Sequence, residues 1–242
     1  AGKNLKKSSL ELGGNDAFII LDDANWDQLA KTIFFARLYN AGQVCTSSKR
    51  FIVMADKYDE FVALVKDAFA KAKWGDPMDP ATTLAPLSSK QAKKDVLAQI
   101  DLAVKNGAKV VYGNEPIDHP GYFVMPTILT DITKDNPIYN QEIFGPVASI
   151  YKVDSEEEAI ELANDSSYGL GGTVFSSDPE HAARVAAQIE TGMSFINSGW
   201  TSLPELPFGG IKNSGYGREL SPLGFNAFVN EHLVFTPKGL EH

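Results

Sequence analysis

Apolar residues recur along the chain with two spacings that alternate from one segment to the next. Spacings of three and four residues predict helices at 25–40, 57–73, 88–106, 155–165 and 178–191. Short apolar runs predict strands at 8–12, 17–21, 50–54, 108–113, 122–130, 147–153, 171–177 and 193–197. Since strands and helices alternate, the pattern predicts an α/β fold of three layers, a mostly parallel sheet with helices on both faces.

Several of the predicted helices carry signals at their ends. Asp23 or Asn25 can cap the start of the first helix, and Asn106–Gly107 supplies a stop for the third. The fourth has three acidic residues, 156–158, in its first turn, where the helix dipole favours negative charge.

The two ends of the chain carry separate expectations. The segment 228–236 (FVNEHLVFT) reads as an isolated final strand, which we expect to add to a sheet edge of another subunit in a homo-oligomer. The chain begins at Ala1 and closes on residues that resemble a cloning scar, so we expect an expressed piece of a longer protein.

Composition excludes several classes of function. The 242 residues carry a net charge of -9, which argues against a nucleic-acid partner, because such proteins need a basic surface. No apolar stretch approaches the roughly 18 residues that suggest a membrane span. The single cysteine excludes an intrachain disulfide and leaves no ligand set for structural zinc, so no metal is predicted. A reducing, cytoplasmic location is expected.

That single cysteine, Cys45, lies in the polar stretch YNAGQVCTSSKR rather than in an apolar strand or helix. A thiol can attack a carbonyl carbon, and release of the resulting acyl group needs water deprotonated by a base. Glu11, in LELGGN beside two glycines, can serve as that base. Taken alone, each residue has a plainer interpretation, a structural cysteine and a solvated glutamate.

Five motifs in register give a more specific interpretation. Their order and spacing over residues 5–236 resemble the aldehyde dehydrogenase superfamily. The motifs are ELGG at 11–14, GQVC at 42–45, EIFGPV at 142–147, NDSSYGLGG at 164–172 and PFGGIKNSGYGRE at 207–219.

The resemblance implies a role for each matching residue. Cys45 is implied as the nucleophile that forms a thiohemiacetal and then a thioester, with hydride passing to NAD or NADP, and Glu11 as the base for thioester hydrolysis. On the cofactor side, Glu142 is implied to bind the ribose of the nicotinamide half, Phe144 to pack beside that ring, and Leu12 to offer its backbone carbonyl to the carboxamide.

The form RLYNAGQVC and the closing GRELSPLGFNAFVN resemble the succinate-semialdehyde dehydrogenase branch of the superfamily. A substrate with a carboxylate needs a cationic or hydroxyl-rich pocket. Candidate carboxylate ligands are Arg37, Ser198, Thr201 and Ser202, and the candidate walls of a substrate tunnel are Trp200 and Phe208.

The resemblance also implies a division of the chain. Residues 1–12 end a preceding cofactor domain, 13–227 form the catalytic domain, 228–238 form an oligomerisation strand, and 239–242 are a tag remnant. Most cofactor contacts are then implied to lie outside this chain, and the isolated piece is expected to dehydrogenate weakly or not at all. Two other functions stay open, a cofactor-independent thiol esterase and a non-catalytic interaction module.

Overall fold

The computed structural model describes residues 1–237 and contains a seven-stranded sheet, two small two-stranded sheets and six α-helices within that range. The helices are α1 Trp26–Leu38, α2 Tyr58–Ala70, α3 Lys90–Lys105, α4 Glu156–Asn164, α5 Pro179–Ala186 and α6 Ser221–Phe225. The strands are β1 Leu10–Glu11, β2 Ala17–Ile20, β3 Arg50–Met54, β4 Lys109–Tyr112, β5 Thr127–Thr130, β6 Val147–Val153, β7 Tyr168–Gly169, β8 Gly171–Phe175, β9 Met193–Ile196, β10 Ile211–Lys212 and β11 Gly215–Tyr216.

The large sheet has the strand order β4-β5-β6-β3-β2-β8-β9. All neighbours pair in parallel except the edge strand β4, which runs antiparallel to β5. The central strands are buried along nearly their whole length, as expected for a parallel sheet covered on both faces. The predicted three-layer, mostly parallel fold is therefore confirmed.

Two separate hydrophobic cores lie on opposite faces of this sheet. Successive residues of β2 alternate between them, with Phe18 in one core and Ile19 in the other, because side chains alternate along a strand. The larger core packs the sheet against α1, α2 and α3. The smaller core packs it against α4 and α5 through small residues such as Ala159 and Ala182.

The predicted helix signals act as caps in the structure. The Asn25 side chain accepts a hydrogen bond from the Gln28 N–H, so Asn25, rather than Asp23, caps α1. The third helix ends at Lys105, and Gly107 takes the left-handed φ of +100° that follows.

Several predicted elements are shorter in the structure, among them the strand expected over 8–12, which covers only Leu10–Glu11. The strand expected over 122–130 covers only Thr127–Thr130, since Pro126 has no N–H to donate to a ladder. The helix expected over 178–191 ends at Ala186 and is followed by a hydrogen-bonded turn in which the Gln188 N–H donates to Val185.

The predicted final strand is not formed within the described chain. Residues 228–237 make no strand pairing, and the large apolar side chains of this segment are exposed: Phe228, Leu233, Val234 and Phe235. A strand requires a partner, and the sheet edges of this chain do not supply one. Lys238 and the predicted tag remnant at 239–242 lie outside the described residues.

No helix within residues 1–237 is both long and apolar enough to cross a membrane.

Candidate active site

Three sequence-predicted motifs converge because they precede three neighbouring parallel strands. Residues 11–16 lead into β2, residues 40–49 into β3, and residues 142–146 into β6. Since β6, β3 and β2 are adjacent and run in the same direction, their first residues lie side by side along the edge of the sheet that is formed by the N-terminal ends of its strands. This edge carries the candidate site.

The segment leading to Cys45 turns through three consecutive left-handed residues. Asn40, Ala41 and Gly42 have φ values of +51°, +56° and +74°. A Cβ on Gly42 would lie 2.2 Å from the backbone oxygen of Gly145, so only glycine permits this contact between the two loops. The backbone of the segment that carries Cys45 and the backbone of the EIFGPV segment are therefore in direct contact.

The Cys45 thiol is half-buried, and its charge environment is mixed. Burial raises the pKa of Cys45, while the nearby ammonium of Lys49 and a hydrogen bond from the Thr46 N–H act to lower it. The carboxylates of Asp16 and Glu11 raise it further. Glu11 is thus close enough for its charge to affect the ionisation of Cys45.

The surroundings of Glu11 raise the pKa of its carboxylate, which makes it a stronger base. Burial raises the pKa of Glu11 most, the charge of Glu219 adds to this, and the Arg218 guanidinium and the Gly210 N–H oppose it. Its Oε2 atom is buried and has no hydrogen-bond partner within residues 1–237. The pairing of β1 with β11 brings Glu11 to this position opposite Gly215.

Sequence reasoning did not single out Glu219 and Arg218 as neighbours of this base. Both lie in the GYGRE stretch that was quoted only as part of a motif. Their position follows from the antiparallel pairing of segments about two hundred residues apart in sequence, for which a single sequence gives no local signal.

Glu142 and Phe144, predicted to contact the cofactor, border an open groove of about 490 Å³ together with one face of α3. Phe144 is exposed, whereas the Glu142 carboxylate is mostly buried against Lys49, at 3.2 Å between Oε1 and Nζ. Oε1 has no hydrogen-bond partner in the described part of the chain. A carboxylate and an exposed aromatic ring that border the same groove fit a ligand with hydroxyl groups and a flat ring, as a nicotinamide riboside has.

Leu12 has an exposed side chain, and its N–H donates to the backbone oxygen of Ser214. It follows Glu11 directly after the end of β1. Its predicted backbone contact with a cofactor carboxamide stays a prediction.

The interpretation of Arg37 as a substrate ligand is wrong, because its side chain is fully buried. Its guanidinium donates to two segments that flank the site. The acceptors are the backbone oxygens of Gly42, Ile143, Gly145 and Val147 and the Ser47 hydroxyl. All five N–H groups of arginine can be used in this way, which leaves none for a substrate carboxylate. Arg37 instead links the segment that carries Cys45 to the EIFGPV segment by hydrogen bonds.

The other candidate substrate residues fall into two groups. Trp200 stacks on Phe35, with ring centroids 5.3 Å apart, and meets Tyr39 edge-on at 5.8 Å. Ser202 and Phe208 line a different cavity of about 210 Å³. That cavity also includes Thr201 and the apolar side chains Met193, Phe195, Leu203, Leu206 and Leu220. Ser198, the remaining candidate, is exposed.

The sequence profile of the aldehyde dehydrogenase family matches residues 1–234. The chain belongs to the aldehyde dehydrogenase family. Among curated members, the succinate-semialdehyde dehydrogenase [NADP(+)] of Deinococcus radiodurans is 52% identical over 234 residues, which are 97% of this chain and 49% of that protein. Its counterpart in Mycobacterium avium is 46% identical over 235 residues, 97% of this chain and 50% of that protein.

Solved structures of the family have the same fold as this chain. The succinic semialdehyde dehydrogenase of Streptococcus pyogenes, solved with NADP+ as the cofactor, superimposes with a TM-score of 0.97 at 76% identity, covering 98% of this chain and 52% of that one. A Mycobacterium tuberculosis aldehyde dehydrogenase complexed with NAD+ gives 0.94 at 38% identity, over 99% of this chain and 50% of that one. This aldehyde dehydrogenase chain therefore spans about half the length of the relatives it matches.

Proposed function

We propose that this chain is the catalytic half of an NAD(P)-dependent aldehyde dehydrogenase that oxidises succinate semialdehyde to the carboxylic acid. The observation that carries the proposal is the convergence of a half-buried thiol, Cys45, and a partly buried carboxylate of raised pKa, Glu11, at one edge of the sheet. The relatives named as succinate-semialdehyde dehydrogenases support the choice of substrate.

In the proposed mechanism, Cys45 attacks the aldehyde carbon as a thiolate and forms a thiohemiacetal. The Lys49 ammonium and the Thr46 N–H favour the thiolate, against the effect of burial. The Cys45 thiol proton has to leave before the attack, and the nearby Glu11 carboxylate is the acceptor we assign to it.

A bound nicotinamide supplies the hydride acceptor that converts the thiohemiacetal into a thioester. Within this chain, the Glu142 carboxylate would hold the ribose hydroxyls and Phe144 would lie beside the ring, since both border the same groove. We propose NAD or NADP as the cofactor, since solved relatives were determined with NADP+ and with NAD+.

Glu11 returns the thiol proton to solvent and then, again as a carboxylate, takes a proton from the water that hydrolyses the thioester. A carboxylate in water is a weak base, and the raised pKa of Glu11 brings its basicity closer to the operating pH. The proposal therefore assigns Glu11 to deacylation as its main role.

With Arg37 excluded, hydroxyl groups are the ligands this chain offers to the substrate carboxylate. We assign this role to Ser202 and Thr201, which share the 210 Å³ cavity with Phe208. Ser202→Ala is expected to raise the KM for succinate semialdehyde while leaving the KM for an uncharged aldehyde of similar length unchanged. An equal change for both aldehydes would contradict this assignment.

The test of the proposed function is nicotinamide reduction in the presence of succinate semialdehyde. We would assay the chain alone and the chain fused to the half of the Streptococcus pyogenes enzyme that it does not cover. The fusion is expected to reduce NADP+ or NAD+, its Cys45→Ser variant is not, and the chain alone is expected to be weak or inactive. A folded fusion that hydrolyses activated esters without reducing either cofactor would favour a thiol esterase instead.

We further propose that segment 228–236 pairs with a sheet edge of a second copy, because its large apolar side chains are exposed in the described chain. Deleting the chain after residue 227 is expected to lower the mass measured by sedimentation equilibrium. An unchanged mass would contradict this proposal.

A further inference from the structure

Lys49 is a buried cation at the centre of the site, and its side chain is only 3% exposed. Its Nζ atom donates to three carbonyl oxygens of one short segment, those of Val44 at 3.0 Å, Cys45 at 2.7 Å and Ser47 at 3.1 Å. An ammonium group has three N–H donors, so these carbonyls account for all of them. The segment that carries the thiol is therefore folded around this one charge.

The same ammonium forms an ion pair with Glu142, at 3.2 Å from Oε1. That oxygen nevertheless has no aligned hydrogen bond from any described residue. The ammonium is therefore shared between the three carbonyls and the Glu142 carboxylate.

Three other charged side chains act on Lys49 or on Cys45. Asp16 is buried behind Lys49, and its carboxylate accepts a hydrogen bond from the Gly171 N–H. The Arg37 guanidinium lies close enough to oppose the charge of Lys49, and the charge of Glu11 acts on Cys45. Among the charges that act on Cys45, Lys49 favours the thiolate, and Asp16 and Glu11 oppose it.

We propose that Lys49 is a positioning residue for the Cys45 nucleophile, which shapes the segment 44–47 through its three carbonyls and divides its charge between that segment and Glu142. A change at Glu142, such as engagement of its carboxylate by ligand hydroxyls, is then transmitted to the thiol through Lys49. The inference rests on the proposed role of Cys45 as the nucleophile and adds a link between the groove and the thiol.

The test is the pH dependence of Cys45 alkylation by iodoacetamide in the 242-residue chain. This reaction needs neither cofactor nor aldehyde, so its result is independent of whether the chain supports dehydrogenation. Since iodoacetamide reacts with the thiolate, the midpoint of the rate profile reports how readily Cys45 ionises. If Lys49 only stabilised the fold, every folded variant at position 49 would show the wild-type profile.

Lys49→Gln is expected to slow alkylation at neutral pH about tenfold and to move the midpoint upward by about one pH unit. Lys49→Arg keeps the charge and is expected to be alkylated at most of the wild-type rate. The matched control is Lys31→Gln, on the exposed face of α1, which is expected to leave the profile unchanged. A folded Lys49→Gln chain with the wild-type profile would overturn the proposal.

Glu142→Gln provides a second measurement that does not depend on Lys49→Gln folding. With the competing carboxylate removed, the charge of Lys49 acts more fully on Cys45, and alkylation at neutral pH is expected to become a few-fold faster. This gain is expected to disappear in Lys49→Gln/Glu142→Gln, in which no ammonium is left to act on Cys45. No gain in Glu142→Gln would contradict the proposed division of charge.

Discussion

Replacement of Arg37 by Met is the substitution that most directly tests how the site is assembled. The side chain is fully buried and donates to five acceptors on two segments, residues 42–47 and 143–147. Burial lowers the pKa of Arg37 to about 9, which still leaves the guanidinium charged at neutral pH. Methionine fills much of the same space but offers no donor.

The expected cost follows from the acceptors left behind. A buried acceptor without a partner costs about 1–3 kcal/mol, and removing one member of a buried charged network typically costs about 3–5 kcal/mol. The individual contributions are not additive, because neighbouring groups relax, so we expect Arg37→Met to lower the free energy of unfolding by about 3–5 kcal/mol. Arg37→Lys keeps the charge but has only three donors, so its free energy of unfolding is expected to lie between those of the wild type and Arg37→Met.

The assay is urea unfolding followed by circular dichroism, with the slope of the transition compared among variants. The control is Arg184→Met, since Arg184 is exposed in the last turn of α5 and a surface change of this kind is expected to cost about 0.5 kcal/mol or less. If Arg37→Met unfolds within about 1 kcal/mol of the control, Arg37 does not hold the two segments together.

Two further predictions concern the buried parts of the site. Gly42→Ala is expected to cost about 3 kcal/mol or more in unfolding free energy, because its Cβ would lie 2.2 Å from the Gly145 oxygen at a φ of +74°. The control Gly107→Ala also has a positive φ but nothing within 4 Å of the added Cβ, so it is expected to cost only about 1 kcal/mol. Equal costs for the two variants would contradict the steric argument. Burial raises the pKa of Asp16 to about 6 from an ordinary 3.8, so the folded state binds this proton more tightly than the unfolded state does. The stability of the wild type relative to Asp16→Asn is therefore expected to be greatest below pH 3.8 and to fall by up to about 3 kcal/mol as the pH rises through 6, and a difference independent of pH would contradict this.

The main elements of the fold could be predicted from local patterns. The strands at 50–54 and 147–153 have the predicted limits, because a buried parallel strand is a short apolar run with polar residues beside it. The predicted cap at Asn25 and the stop at Asn106–Gly107 depend only on neighbouring residues, so a sequence can reveal them.

The environment of the site could not be predicted in the same way. Arg37 and Lys49 are buried cations whose main partners are backbone carbonyls, and every residue type has a backbone carbonyl, so no sequence pattern identifies these partners. The wrong interpretation of Arg37 arose from its closeness in sequence to Cys45. The segment 228–236 has the composition of a strand but forms none in the described chain, because composition does not specify a pairing partner.

The central claim is that Cys45 and Glu11 form a working pair of nucleophile and base, and acetyl transfer from p-nitrophenyl acetate tests it most directly. Mass spectrometry of the intact chain would follow the acetyl group on Cys45 over time. The account predicts that the acetyl group forms on the wild type and is hydrolysed, that it accumulates in Glu11→Gln, and that it does not form in Cys45→Ser. Hydrolysis of the acetyl group at the same rate in Glu11→Gln and the wild type would contradict the account.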